Sequence, residues 1–168
     1  METFKKCLSI GRIYEKEGTE ILKKKGFYNI ELDETYNPYY DITAYKDNIK
    51  YYIECKYNSY TDKTQKIFLE CCTRKLQVSG VSITKADYYI FFSNTKYYMC
   101  DVNKVKRILR KTIEKTLKNK GIFEHTDDQL CNYIENCGLK TSNSIGVLIC
   151  VQKVKKKSIY TGTIKNKK

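Results

Sequence analysis

Asp41, Glu54 and Lys56 are the residues of this 168-residue chain whose types and spacing could do chemistry. Two converging carboxylates can hold a small hard cation through oxygen, which suits magnesium, with manganese as the alternative. Such a cation acidifies a bound water and neutralises charge on a phosphodiester. A lysine beside it can position that water or offset developing negative charge. The rest of the chain offers few rival chemistries. The single histidine, His125, nearly excludes His-dependent triads, and its surroundings (Glu124 to Asp128) read as a polar loop before a helix cap. Neither a G-x-x-x-x-G-K-[ST] phosphate loop nor a G-x-G-x-x-G run occurs. The eight cysteines include no C-x-x-C pair and have no metal-ligand spacing to His125, so reduced thiols are expected rather than zinc.

The elements that must position the acids are two strands, 39–45 and 49–56, joined by the two-residue turn Asp47-Asn48. With Lys46 opposite Ile49, Asp41 falls directly across from Glu54, their Cβ atoms about 5 Å apart. The other face then carries Ile42 with Ile53, Ala44 with Tyr51 and Tyr40 with Cys55, which reads as core. A one-residue slip would move these apolar residues into water. Strand periodicity places Lys56 beside Glu54. Opposed like charges destabilise a hairpin, and a bound cation is one reason to tolerate them. The same pattern also describes a solvent-facing hairpin on which Lys56 only neutralises Glu54.

Around this pair, residues 8–25 read as a helix, with Ile10, Ile13, Tyr14, Ile21 and Leu22 at helical spacing and Gly26 as its stop. Strands are expected at 27–32, 66–72, 87–92, 96–102 and 145–151. A helix over 103–120 has Val105, Ile108, Leu109, Ile113 and Leu117 on an apolar arc. Lys104, Arg107, Lys111, Lys115 and Lys118 lie on the opposite face, where the lopsided sign suits phosphate contact. Thr126 and Gln129 resemble a capping box for a short helix to Cys137. The reading is therefore one domain over 1–152 and a basic, mobile tail over 153–168 that includes Lys155, Lys156 and Lys157.

The net charge of +13 favours a polyanionic partner, nucleic acid before an acidic membrane surface. The N-terminal residues have no long apolar stretch, and no segment approaches a membrane span, so the chain is expected not to be secreted or membrane-bound. Sixteen tyrosines are frequent enough that exposed ones could stack on unpaired bases, although most are expected in strands and core.

Asp41, twelve intervening residues, and then Glu54-Cys55-Lys56 resemble the D…(D/E)-x-K signature of PD-(D/E)XK nucleases. Upstream, Glu15 in Gly11-Arg12-Ile13-Tyr14-Glu15, followed by Gly26-Phe27, is similar to archaeal Holliday-junction resolvases and related phage and viral endonucleases. Tyr40 stands where the family signature has proline. The resemblance covers residues 8 to about 57 and extends loosely to 87–92. It implies an α/β fold with a restriction-endonuclease-like core: a mixed central β-sheet flanked by helices, with a second core helix in the weakly periodic stretch 73–86. It also implies a magnesium-dependent DNA endonuclease acting at Glu15, Asp41 and Glu54 with Lys56 assisting, on branched or junction DNA, with a repair or restriction nuclease as the alternative. By the same resemblance the chain would act as a homodimer, and with its thiols reduced it is expected in the cytoplasm or at sites of DNA replication. Glu17 and Glu20 remain alternatives to Glu15, and Glu70 is a further candidate. A non-catalytic nucleic-acid-binding protein on the same fold is the competing reading.

Overall fold

The computed structural model describes residues 2–35, 37–73, 75, 77, 79–119, 139–140 and 144–164. His125 and the helix expected over 126–137 lie outside the described residues.

The chain opens with α1 (Glu2–Lys24), which ends in a hydrogen-bonded stop. The Gly26 N–H donates to Lys23 O (3.1 Å) and the Phe27 N–H to Leu22 O (3.1 Å). Gly26 is left-handed (φ 80°), a conformation glycine adopts without steric cost, and Phe27 and Leu22 are buried in the same core. Strands β1 (Tyr28–Leu32), β2 (Ile42–Lys46) and β3 (Ile49–Tyr57) follow as an antiparallel meander. Asp47 and Asn48 both have positive φ (51° and 60°), as a type I′ turn requires. The β2–β3 register pairs Ile42 with Ile53 and Lys46 with Ile49, as the alternation predicts.

After α2 (Thr61–Thr64), β4 (Lys66–Thr73) and a 3-10 turn at Gly80–Ser82, strand β5 (Tyr88–Phe92) pairs parallel to β3. Among the described residues of 73–86, the stretch expected as a second core helix, Thr73 ends β4 and Gly80–Ser82 form this short turn. Strand β6 (Lys96–Asp101) forms a hairpin with β5, and α3 (Val102–Asn119) follows directly. The Asp101 carboxylate accepts from the Lys104 N–H at 3.0 Å and caps α3. Strands β7 (Leu139–Lys140) and β8 (Ser144–Cys150), α4 (Val151–Lys155) and β9 (Ser158–Thr163) complete the described chain.

The six-stranded mixed sheet runs β1-β2-β3-β5-β6-β9, and β4-β8-β7 form a second sheet. On one face of the large sheet, Ile21, Leu22 and Phe27 pack against Ile42, Ala44, Ile53, Ile90, Phe92 and Met99. On the other face, β4, β8, α3 and α4 cover Tyr89, Phe91, Tyr98 and Cys100. Strand β5, covered on both faces, is apolar without alternation. The sheet is curved. Flat, β2 and β9 would lie about 19 Å apart, yet Lys46 Nζ donates to Tyr160 Oη at 2.8 Å.

Two expectations are corrected. Residues 153–164 are not a free arm. Lys153 and Lys155 lie in α4, and the alternating segment after Lys157 adds to the sheet as β9, pairing with β6. Tyr40 does not share a face with Cys55: it lies before β2, packs against the second core and contacts Tyr52. Among the described residues, no helix is long and apolar enough to cross a membrane.

Candidate active site

Asp41 sits one residue before β2, where the ladder to β3 ends. Its N–H donates to Ile53 O (2.9 Å), and its carbonyl accepts from the Asp33 N–H (2.8 Å). Its side chain then takes over from the ladder: Oδ2 accepts the Cys55 N–H at 2.7 Å. This bond fixes the Asp41 carboxylate against the backbone of the Glu54-Cys55-Lys56 segment. Within that segment the side chains alternate. Ile53 and Cys55 face the α1 side, and Tyr52, Glu54 and Lys56 face the other. Lys56 Nζ lies 3.7 Å from Glu54 Oε1, with the glutamate side chain 13% exposed and the lysine 38%.

Glu15 arrives from α1. The helix packs on β3 through Tyr14, whose ring stacks on Tyr57 (centroids 4.0 Å apart), and through the buried Gly18, which lies against Cys55 and Ile42. Glu15, three residues before Gly18, is carried on the same side of the helix. Its charge bears on both Asp41 and Glu54. Of the alternatives, Glu20 pairs with Lys23 at 2.8 Å, and Glu17 lies toward Tyr14. Glu70 accepts from Ser79 Oγ at 2.6 Å.

Arg12, which the sequence gives no role beyond its place beside Glu15, is part of the site's frame. Its Nη1 donates to Glu15 Oε2 (2.8 Å) and Asp33 O (2.6 Å), and Nη2 donates to Glu34 O (2.9 Å). Arg12 thus fastens Glu15 to the loop that leads into Asp41. The i, i+3 spacing of Arg12 and Glu15 was the available signal.

The carboxylates burden one another. Burial pushes Asp41 well above the usual carboxylate range. The Cys55 N–H opposes that rise, and the Glu15 charge adds to it. Burial, then the Asp41 charge, pushes Glu54 up further, against the pull of Lys56. Two buried acids held this way either share protons or need a cation. The donor set suits a hard divalent ion, since it is carboxylate oxygen without imidazole, and the Cys55 side chain points to the opposite face. As placed, the three acids are not drawn into a closed group: among the described residues, no three His, Cys, Asp or Glu side chains are gathered as metal ligands.

The basic residues expected to contact phosphate are placed as follows. Val105, Ile108, Ile113 and Leu117 of α3 are buried, while Arg107, Lys111, Lys115 and Lys118 are exposed and Lys104 is half-buried. Lys155, Lys156 and Lys157 are exposed at the end of α4, which packs beside α3. No protein-family model, curated protein or solved structure matches this chain.

Proposed function

We propose that this protein is a divalent-metal-dependent DNA endonuclease of the PD-(D/E)XK type, acting on branched or junction DNA. The observation that carries the reading is the convergence of Asp41, Glu54 and Lys56 across the β2–β3 ladder, with the Glu15 charge bearing on both acids. The element order α1, β1–β3 and a β5 parallel to β3 supports a restriction-endonuclease-like core. The β4-containing connection between β3 and β5 departs from that core.

In this reading Asp41, Glu54 and Glu15 would hold magnesium or manganese, which supplies charge neutralisation at the phosphodiester and a more acidic water. The protein's own groups do the rest. The Cys55 N–H fixes the Asp41 carboxylate, and Lys56 places positive charge beside Glu54, where negative charge develops on a phosphate. Arg12 sets the position of Glu15. Cations on α3 and at the end of α4 hold the DNA backbone.

The competing reading, a non-catalytic nucleic-acid-binding protein, is favoured by one observation: Glu15 is occupied by Arg12, short of a closed ligand group. Cleavage of labelled four-way junction, linear duplex and single-stranded DNA with magnesium or manganese separates the two. Metal-dependent cutting should vanish in Glu54→Ala and fall by about 100-fold or more in Lys56→Ala. Binding without cutting by the wild type would establish the non-catalytic reading, and full activity in Lys56→Ala would remove the lysine from the mechanism.

A further inference from the structure

Most described tyrosines are accounted for by packing. Tyr14, Tyr51, Tyr57, Tyr88, Tyr89, Tyr97, Tyr98 and Tyr160 lie in or against the two cores. Tyr52 belongs to neither core, and it stands on the face of β3 that carries Glu54 and Lys56. Its backbone is clamped: the N–H donates to Asp87 Oδ2 (2.8 Å), and the carbonyl accepts from the Asp87 N–H (2.7 Å). Its ring lies against Tyr40 (centroids 4.6 Å apart), itself backed by the second core. Lys50 Nζ sits 5.4 Å from the Tyr52 centroid.

Beside Tyr40, Tyr39 is 37% exposed, and Lys85 Nζ stands 4.2 Å from its ring centroid. The Tyr39 carbonyl accepts from the Lys85 N–H (3.2 Å) and Thr84 Oγ1 (2.9 Å). Residues 84–87 therefore hold both Tyr39 and Tyr52 by their backbones. The result is a set of rings fixed before any ligand arrives, with ammonium groups at their faces.

We propose that Tyr39, Tyr40 and Tyr52, with Lys50 and Lys85, form a stacking platform for the unpaired bases of single-stranded DNA next to the carboxylate site. Flat aromatic faces accept any base, and neighbouring lysines attract the backbone. Paired bases are already stacked in a duplex and cannot use such a surface. Two residues along a strand span about 6.8 Å, so a base on Tyr52 brings its own backbone near Glu54. The platform would direct cutting to strands with unpaired bases, as at branch points. Its placement beside a scissile bond rests on the nuclease reading, but its binding does not.

Binding should be measured with the full chain in EDTA, by anisotropy of a labelled single-stranded oligonucleotide and of its duplex. Tyr39→Ala and Tyr52→Ala should each weaken single-strand binding by about 5-fold or more, and duplex binding by less than about 2-fold. Tyr39→Phe and Tyr52→Phe should bind as the wild type does. Tyr39 is at the surface, so its alanine variant keeps the test valid if Tyr52→Ala fails to fold. Equal losses for single strand and duplex, or no loss in Tyr39→Ala, would overturn the platform. Because EDTA removes any metal requirement, a protein that never cuts DNA could still show the platform. A metal-dependent nuclease with unchanged tyrosine variants would keep its activity assignment and lose this one.

Discussion

The Asp41 carboxylate accepts the backbone N–H of Cys55, the residue between Glu54 and Lys56, at 2.7 Å. One side chain thus extends the β2–β3 ladder and sets the relation of the two acids. The two jobs separate by mutation. Asp41→Asn keeps an oxygen acceptor for Cys55 while removing a charge that burdens Glu54. Its melting temperature should match or exceed that of the wild type, while metal-dependent cleavage is lost. Asp41→Ala strands the Cys55 N–H and should cost about 1–3 kcal/mol. Thermal unfolding of the two variants side by side checks this, and equal stability would mean that the hydrogen bond contributes nothing.

Stability should depend on pH through the same pair. Asp41 and Glu54 are both raised by burial, so the folded state binds their protons more tightly than the unfolded chain does. Their stabilising contribution is then present below the ordinary carboxylate value of about 4 and is lost as pH rises through the raised folded values. Glu54→Gln never ionises and escapes this loss. Its melting temperature relative to the wild type should climb between about pH 5 and pH 8. If the pair holds magnesium or manganese, the cation competes with the protons, and cation-induced stabilisation of the wild type should grow in the same direction. A gap between wild type and Glu54→Gln that stays constant with pH would contradict the raised values.

The β2–β3 hairpin that carries the candidate site was legible in the sequence because its geometry is local. The Asp47-Asn48 turn and the Ile42, Ala44 and Ile53 alternation set the β2–β3 register without reference to distant residues. What was illegible depends on partners far along the chain. Nothing in 66–72 announces that β4 pairs with β8 rather than with the large sheet. The lysines at 153–157 have the composition of a free arm. The period-two segment behind them, with Ile159 outward and Tyr160 inward, becomes an edge strand only because β6 is there to receive it. Tyr40 departs from the alternation because the ladder stops at Asp41, where a side chain replaces the backbone bond. Arg12 was missed because two of its three acceptors are backbone carbonyls of a loop with no pattern of its own.

Gly18 is one of the contacts, with Tyr14 and Arg12, that hold Glu15 in place. A Cβ there would lie 2.8 Å from Cys55 Sγ and 3.1 Å from Ile42 Cδ1. Gly18→Ala gains helix propensity of about 1 kcal/mol but overpacks the α1–β3 contact, at about 1–3 kcal/mol. The net effect should be lower stability, and lifting α1 should also reduce cleavage by moving Glu15. Cys55→Ala added to Gly18→Ala removes the nearest clashing atom and should restore part of both properties, which a double-mutant cycle on melting temperature and cleavage rate will read. Additive losses would place the clash elsewhere.

The exposed cations of α3 should act through phosphate rather than through folding. Lys111 and Lys115 are exposed and stand one turn apart, on the opposite side of the helix from the buried Ile113 and Leu117. Replacing both with glutamine should leave the melting temperature nearly unchanged, because neither side chain contributes to the core. If each neutralises one phosphate of a duplex, the slope of log Kd against log salt should fall by about 0.9 per lysine, and affinity at low salt should drop for every duplex sequence alike. A salt titration of duplex binding decides the matter. An unchanged slope would mean that this face is only solvated and that the DNA track runs elsewhere, with Lys155, Lys156 and Lys157 beside it as the next residues to replace.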